Sequence, residues 1–269
     1  MQEREDGVIA PPASAHACLL SVRGITVRFG GIVALEGISF DVARGQIAGL
    51  IGPNGAGKTT LFNCLSRLYD YSEGYITFDG HPLEKLPRHK MARLGIGRTF
   101  QNLALFKTMS VLDNIKVGRH SRTHKGFLAN ALRLPGVAQE EDESSRRVDE
   151  LVRFLGLRAV AGTRVADLPF GTQKRVELGR ALASAPTLLL LDEPAAGLNH
   201  EEVGTLGSLI RDIRDTFKLT VLLVEHHMSL VMKVSEQVVA LNFGRKIADG
   251  TPDEVRRHPG VIQAYLGSD

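Results

Sequence analysis

The strongest chemical signal in the sequence is a glycine-rich stretch, Gly52-Pro53-Asn54-Gly55-Ala56-Gly57-Lys58-Thr59, which matches the pattern G-x-x-x-x-G-K-[ST]. Its glycines let successive backbone N–H groups turn inward around phosphate oxygens, and the helix start that follows adds about half a positive charge. In such a loop Lys58 reaches the β- and γ-phosphates, and the Thr59 hydroxyl binds Mg²⁺. The residues that we assign to this phosphate-binding loop are Gly52, Pro53, Asn54, Gly55, Ala56, Gly57, Lys58, Thr59 and Thr60.

Two adjacent carboxylates, Asp192 and Glu193, follow the apolar run from Leu188 to Leu191. Open α/β sheets place their sites at the carboxyl ends of their strands, so this pair is expected close to the phosphate loop. There Asp192 can hold Mg²⁺, directly or through water, and Glu193 can orient and deprotonate an attacking water molecule. Loop and carboxylates together predict a site that hydrolyses a nucleotide.

The elements that must position these residues are predicted from apolar spacing. β-Branched and aromatic residues recur at roughly period two from Leu19 to Phe29 and from Gly37 to Val42, which indicates half-buried antiparallel strands. Ile47 to Ile51 is a short continuous apolar run, and a helix is expected from Lys58 to Leu68. The loop therefore lies between a buried strand and a helix, which is the context that its motif requires.

The rest of the chain alternates between helical and strand patterns. Between about Pro87 and Leu168 the apolar spacing is helical. The residues at i, i+3, i+4 and i+7 there are Val148, Leu151, Val152 and Leu155. Beyond it, buried runs at Leu188 to Leu191 and Val221 to Val224 flank a helical stretch from Glu201 to Phe217, which indicates a parallel sheet with crossover helices. The predicted class is α/β, with a mixed sheet that has an antiparallel edge and with a helical subdomain.

Composition excludes several other classes of protein. A chain of 269 residues that is 43% hydrophobic and 23% charged buries a sizeable core. Its formal net charge of +3 is too weak and too evenly spread for a nucleic-acid footprint. Cys18 and Cys64 lack metal-ligand spacing and are expected to be inert thiols in a reducing cytoplasm. The apolar runs are far shorter than the ~20 residues of a membrane-spanning helix.

Two further segments accompany the loop and the carboxylates: Gly97-Arg98-Thr99-Phe100-Gln101-Asn102 and Leu168-Pro169-Phe170-Gly171-Thr172. With them, the chain resembles the nucleotide-binding subunit of an ATP-binding cassette (ABC) transporter from about Leu19 to the C-terminus. The first segment is similar to the family segment whose glutamine senses Mg²⁺ and contacts the membrane partner, which implies these roles for Gln101. The second is similar to the family signature, LSGGQ, and implies that Gly171 and Thr172 contact a nucleotide held by a second subunit.

The resemblance implies roles for other residues as well. Ala196-Gly197-Leu198-Asn199 is similar to the D-loop, which couples the two sites of a dimer. His226 stands at the place of the switch histidine, which implies that it bonds the γ-phosphate and holds Glu193; Glu193, His226, Gln101 and Lys58 are then the catalytic set. Phe29 lies 23 residues before Gly52, where relatives place an aromatic ring under the adenine, with a plain core phenylalanine as the alternative.

The resemblance extends to one subtype. The stretch Asp192 to Asn199, the strand Leu223 to His226 and the ending from Gly250 to Gly267 closely resemble the ATP-binding subunits of bacterial branched-chain amino acid importers. The stretch from Val117 to Pro135 resembles the longer subunit of that pair. The implied function is ATP hydrolysis, with Mg²⁺, that powers import of a small polar solute. Branched-chain amino acids are the favoured solute, and urea, amides and aromatic acids are the alternatives.

The implied organisation follows from the same resemblance. Residues 1–18 are expected to form a flexible N-terminal extension, and residues 19–269 one nucleotide-binding domain with the helical subdomain at about 87–168 inserted. The implied partners are a second ATP-binding subunit in a hetero- or homodimer, two integral-membrane permease subunits and an extracytoplasmic solute-binding protein, but no nucleic acid. The chain would lie at the cytoplasmic face of the plasma membrane. A lipopolysaccharide-export ATPase and a soluble ABC protein without a membrane partner remain as alternatives.

Overall fold

A computed structural model describes residues 17–100, 103–120 and 137–266 of the chain, with side chains in the last range from residue 142 to residue 265. Gln101, almost all of the expected N-terminal extension and residues 121–136 lie outside the described residues.

Ten strands and a set of helices make up the described part of the chain. The strands are β1 (Cys18–Phe29), β2 (Ile32–Ala43), β3 (Ile47–Ile51), β4 (Glu73–Phe78), β5 (His81–Pro82), β6 (Ile96–Arg98), β7 (Leu188–Asp192), β8 (Thr220–Val224), β9 (Gln237–Asn242) and β10 (Arg245–Gly250). The α-helices are α1 (Lys58–Leu65), α2 (Met91–Leu94), α3 (Val111–Arg119), α4 (Val137–Phe154), α5 (Phe170–Ala183), α6 (His200–Phe217), α7 (Met228–Val234), α8 (Pro252–Arg257) and α9 (Pro259–Leu266).

The strands form two sheets. A four-stranded antiparallel sheet has the order β2-β1-β4-β5, and a six-stranded sheet has the order β10-β9-β3-β8-β7-β6. In the second sheet β9, β3, β8, β7 and β6 pair in parallel, whereas β10 pairs antiparallel with β9. The predicted α/β class with a mixed sheet is confirmed, and the early antiparallel strands form a sheet of their own.

The inner strands β3, β8 and β7 of the six-stranded sheet are buried on both faces, which explains their continuous apolar runs. Leu188 and Leu190 of β7 pack into the core that faces the four-stranded sheet. Leu189 and Leu191, which alternate with them, pack into a second core shared with the helices. Helix α1 lies in the first core, and Phe62 is the largest side chain that this helix buries there. The parallel strands therefore end at one common edge, directly beside the start of α1.

The helices predicted for the middle of the chain are observed from α3 onward. Val148, Leu151, Val152 and Leu155 are all buried in the second core, as their spacing predicted. Within the same range, however, Ile96–Arg98 form β6 and extend the six-stranded sheet beside β7. The core sheet therefore continues beyond Pro87: the short helix α2 precedes β6, and the longer helices of this range follow it.

Helix α1 is shorter than its apolar pattern suggested. It ends at Leu65 and not at Leu68, because Arg67 adopts a left-handed conformation with a φ of 58°. The N–H groups of Leu68 and Tyr69 then both donate to the Asn63 carbonyl, which closes the helix end. Helix α6 and strands β3, β7 and β8 have boundaries within one residue of those predicted.

None of the helices in the described ranges is both long enough and apolar enough to cross a bilayer.

Candidate functional site

The glycine-rich loop connects β3 to α1 with glycines in conformations that other residues avoid. Gly55 has a φ of 81°, and Gly57, which caps α1, has a φ of 97°. A Cβ atom on Gly57 would also lie 2.9 Å from the Ala34 carbonyl oxygen of β2. The loop is fixed from its other side, where the Gly244 N–H donates to the Ala56 carbonyl at 3.1 Å. The backbone path of this loop therefore requires glycine at Gly57.

Lys58 lies inside the loop that precedes it. Its Nζ donates to the carbonyl oxygens of Gly52 and Pro53, at 2.6 and 3.0 Å. Burial lowers the pKa of Lys58, and the nearby Glu193 carboxylate opposes that shift. The ammonium group is thus held by backbone carbonyls at the point where the loop would receive phosphate oxygens.

A cleft of about 500 Å³ opens over the loop. The residues that line it are Ile32, Val33, Ala34, Asn54, Gly55, Ala56, Gly57, Lys58, Thr59, Thr60, Glu193, Phe243 and Gly244. The structure therefore brings the predicted loop residues from Asn54 to Thr60 together with Glu193. Gly52 and Pro53 lie behind Lys58, which their carbonyls hold.

The two carboxylates at the end of β7 have different surroundings. Asp192 is buried, and its Oδ2 accepts a hydrogen bond from the Arg98 guanidinium at 2.8 Å. Burial raises the pKa of Asp192, and the bond to Arg98 opposes the shift. Glu193 turns away with a left-handed φ of 46°, while its N–H donates to the Val224 carbonyl at 3.0 Å. This turn carries the Glu193 side chain to the cleft.

A third carboxylate, Glu225, organises the ends of β7 and β8. It is completely buried, and its Oε1 accepts from the Ala195 N–H at 2.6 Å. Its Oε2 accepts from the N–H groups of His226 and His227, at 3.2 and 3.4 Å. The His226 ring is half exposed, with Nδ1 4.0 Å from the Glu193 Oε2. Glu225 therefore ties together the two backbone segments that carry Glu193 and His226.

The aromatic residue predicted under the adenine lies beside the cleft. Phe29 is 47% exposed and meets Tyr69 edge to face, with ring centroids 5.4 Å apart. This exposure does not fit the alternative of a core phenylalanine. Among the described residues Phe29 is not one that lines the cleft, whereas Phe243, on the turn between β9 and β10, does and is 85% exposed. The adenine contact of Phe29 remains a prediction.

The signature segment begins α5, away from the cleft. Pro169 caps the helix, and its carbonyl accepts from the N–H groups of Thr172 and Gln173, each at 3.0 Å. The Thr172 N–H is thus already engaged in the first turn. A Cβ atom on Gly171 would lie 3.0 Å from the Glu202 carboxylate of α6. Neither Gly171 nor Thr172 is among the described residues that line the cleft. One chain therefore does not bring its signature to its own phosphate loop.

Buried charges on α5 connect the signature helix to the site. Glu177 is buried, and its Oε1 accepts from the Phe100 N–H at 3.0 Å, directly before Gln101. Burial raises the pKa of Glu177. The buried Lys174 places its Nζ 3.5 Å from the Glu193 carbonyl oxygen. The sequence assigns these two residues no role, because a charged residue in a helix usually signals a solvated face. It assigns none to Arg98 or Glu225 either, although these two lie at the ends of strands.

Two predicted magnesium ligands suit an ion that binds with a nucleotide: Thr59 lines the cleft, and Asp192 lies at the end of β7, directly before Glu193, which also lines it. Within the described residues there is no group of three or more His, Cys, Asp or Glu side chains arranged to hold a metal alone. The Thr59 hydroxyl and the Asp192 carboxylate are hard oxygen donors, which Mg²⁺ prefers, and Mg²⁺ typically takes one or two carboxylates together with phosphates and water. This donor set fits Mg²⁺ bound jointly with a phosphate.

Comparison with known proteins decides the family. A family model described as ABC transporter matches residues 35–196, which is more than half of the chain. The chain belongs to the ABC transporter family. A second model, described as branched-chain amino acid ATP-binding cassette transporter, matches residues 245–269 of this cassette. The predicted identity as an ABC ATPase subunit is thereby confirmed.

Relatives of this ABC cassette agree with the predicted subtype. It is 43% identical to BraF of Pseudomonas aeruginosa, over 93% of this chain and 98% of the relative. It is 41% identical to LivG of Escherichia coli K12, with the same coverage. Both relatives are described as high-affinity branched-chain amino acid transport ATP-binding proteins. The predicted resemblance to this subtype is confirmed.

Solved structures confirm the fold. The ADP conformation of MJ1267, an ATP-binding cassette of an ABC transporter, superposes with a TM-score of 0.81 at 28% identity, covering 93% of this cassette and 99% of that chain. The structure of cbiO1 from Clostridium perfringens, part of the ABC transporter complex cbiONQ, superposes with a TM-score of 0.77 at 29% identity, covering 93% and 96%. The α/β architecture described above is therefore that of an ABC ATPase.

Proposed function

We propose that this cassette hydrolyses ATP to drive import of branched-chain amino acids through separate permease subunits. The observation that carries the ATPase chemistry is that one cleft contains the phosphate loop, Lys58 and Glu193. The solute class rests on the two relatives named for branched-chain amino acid transport and on the matching C-terminal segment. The cassette would act at the cytoplasmic face of the plasma membrane.

The phosphate loop would bind the triphosphate. Backbone N–H groups of the loop would surround the phosphates, and Lys58 would exchange its carbonyl partners for β- and γ-phosphate oxygens. The Thr59 hydroxyl and the Asp192 carboxylate would hold Mg²⁺, which neutralises developing charge on the phosphates. Gln101, outside the described residues, would complete this set.

Glu193 would accept a proton from the attacking water molecule. Its side chain reaches the cleft while its backbone is fixed to β8 through the Val224 carbonyl. His226 lies 4.0 Å from it and would orient both Glu193 and the γ-phosphate. A small movement of the His226 ring brings that distance into the hydrogen-bonding range.

Hydrolysis would require a second cassette. In the described part of the chain the signature helix faces α6, away from its own phosphate loop, so Gly171 would serve the nucleotide of a partner subunit. The Thr172 N–H already donates to the Pro169 carbonyl, so the Gly171 N–H and the positive end of the helix would be what binds the phosphate. Two permease subunits and an extracytoplasmic solute-binding protein would complete the importer.

Two variants test the ATPase assignment in the assembled complex. Glu193→Gln should keep ATP bound and abolish turnover, because the amide is isosteric but does not accept the proton from water. This variant should then accumulate as a dimer in ATP on gel filtration. Lys58→Ala should lose ATP binding itself. Wild-type turnover in Glu193→Gln would place the general base elsewhere, and normal ATP binding in Lys58→Ala would contradict the loop assignment.

The solute is tested separately. The complex copurified from native membranes, reconstituted in vesicles, should take up labelled leucine in an ATP-dependent way. Urea and benzoate serve as competing substrates of the alternative classes. Uptake of urea or benzoate without leucine uptake would refute the solute assignment and leave the ATPase assignment intact.

A further inference from the structure

Arg98 forms a buried ion pair with the carboxylate at the end of β7. Its side chain is 8% exposed, that of Asp192 is 4% exposed, and their atoms Nη2 and Oδ2 lie 2.8 Å apart. Arg98 ends β6, the short edge strand that pairs with β7. The two side chains thus meet at the edge of the sheet where the candidate metal donors lie.

The guanidinium group is fixed from a second side by the end of the phosphate-loop helix. Its Nη1 donates to the Ser66 Oγ at 2.5 Å and to the Phe62 carbonyl at 3.3 Å. The carboxyl end of a helix carries partial negative charge, which favours a cation there. The rings of Phe62 and Phe100 lie with their centroids 5.7 and 5.2 Å from the Arg98 Cζ. Arg98 therefore connects α1, β6 and β7 in one fixed geometry.

Stability alone explains such a pair poorly. Buried ion pairs can often be replaced by apolar residues of similar volume without loss of stability, because removing two charges from water is costly. What a fixed guanidinium does supply is orientation, since its planar fork holds a carboxylate in one position. Supporting hydrogen bonds to ligating carboxylates act in this way at metal sites in general.

We propose that Arg98 is a positioning residue of the nucleotide-bound metal site. It holds Asp192 through Oδ2 and would so leave Oδ1 available to a metal ion. The backbone next to it reinforces the arrangement, because the Thr99 Oγ1 accepts from the Asp192 N–H at 3.3 Å. This inference rests on the proposed binding of ATP with Mg²⁺.

The test measures the affinity of the purified cassette for a fluorescent, non-hydrolysable ATP analogue, in Mg²⁺ and in EDTA. In Arg98→Met the gain in affinity that Mg²⁺ provides should shrink by about tenfold to a hundredfold, the usual cost of losing a partner of a metal ligand. Affinity in EDTA should stay unchanged, because the phosphate loop is intact. Arg98→Lys keeps the charge without the planar fork and should give an intermediate loss.

Two controls separate positioning from packing. Ser66→Ala removes the shorter of the two Nη1 bonds at the end of α1 and keeps the pair with Asp192, so its response to Mg²⁺ should equal that of the wild type. Arg23→Met removes an exposed ion pair, to Asp41 at 2.6 Å, and should also have no effect. If Arg98→Met does not fold, Arg98→Lys carries the test.

The outcomes are distinct. A wild-type response to Mg²⁺ in the folded Arg98 variants, or an equal loss in Ser66→Ala, overturns the inference. Tighter binding in Mg²⁺ for Arg98→Met would also overturn it, since Arg98 would then compete with the metal for Asp192. Failure of the wild-type cassette to bind the analogue at all would instead contradict the proposed function.

Discussion

Replacing Glu225 by glutamine would test whether this buried carboxylate holds together the two segments that follow β7 and β8 and carry Glu193 and His226. In the structure Glu225 accepts three backbone N–H groups: Oε1 takes Ala195 at 2.6 Å, and Oε2 takes His226 and His227 at 3.2 and 3.4 Å. Glutamine has the same shape, but one of its two terminal groups is a donor. In either orientation, an NH₂ group faces a backbone N–H in a site without exposure to water.

The magnitude follows from the bonds that are lost. A hydrogen bond to a charged group contributes about 1.5 to 3 kcal/mol, and at least one such bond to Glu225 becomes a donor–donor contact. The free energy of unfolding should fall by about that amount. Since 1 kcal/mol shifts the Tm of a domain of this size by about 2 to 4 °C, the Tm should fall by about 3 to 12 °C.

Calorimetry of the purified cassette measures this change, and steady-state hydrolysis by the assembled transporter measures its consequence. We expect kcat to fall more than ATP affinity, because Glu225 contacts the segments of Glu193 and His226 and not the phosphate loop. Glu73→Gln is the matched control, since its side chain is 62% exposed and its pair with Arg28 is a surface pair worth at most about 1 kcal/mol. An unchanged Tm and kcat in Glu225→Gln would refute the reasoning.

Further predictions concern other parts of the molecule. Phe29→Ala should weaken ATP affinity, since stacking on a base contributes about 1 to 3 kcal/mol, and leave the maximal rate mostly intact; unchanged affinity in a nucleotide titration would remove Phe29 from the site. Pro169→Ser should leave hydrolysis by the assembled transporter equal or higher, because proline has no N–H and serine, the second residue of the LSGGQ signature, adds a donor at the cap of α5; a large loss would mean that proline's rigidity organises the signature. A thiol reagent at pH 8 should modify the exposed Cys18 only slowly, because partial burial and the Asp41 carboxylate raise its pKa, and should leave Cys64 unmodified, because burial raises its pKa to about 12. Modification of Cys64 in the native protein, detected by mass spectrometry, would contradict the packing of α1.

The buried strands could be predicted from the sequence because both faces of the sheet are covered. Leu188 to Leu191 and Val221 to Val224 are apolar at every position for this reason. The sequence does not predict β6, because Ile96-Gly97-Arg98 has only three residues and ends in a cation. Arg98 is buried through its pair with Asp192, which is 94 residues away, and no local pattern indicates a partner at that distance.

The loop and the carboxylates were found because their chemistry lies in contiguous residues. Glu177 and Glu225 were not, because their partners are backbone N–H groups of distant segments, at Phe100 and Ala195. Because every residue except proline has a backbone N–H, the residue types do not show which of these groups a carboxylate binds. A charged residue that ends an all-apolar strand, as Glu225 does after Val224, is the one signal that was available.

The buried charges around the site therefore share one physical property. Arg98, Lys174, Glu177 and Glu225 each bond a backbone group or a carboxylate at the carboxyl edge of the six-stranded sheet. Burial of each charge costs free energy that an apolar residue would not require, so stability gives little reason for their presence. What they add is a set of contacts at and beyond the ends of the paired strands, where the main-chain ladder stops. Phosphate transfer depends strongly on the position of the reacting groups, so we expect these charges to serve the accurate placement of Asp192 and Glu193.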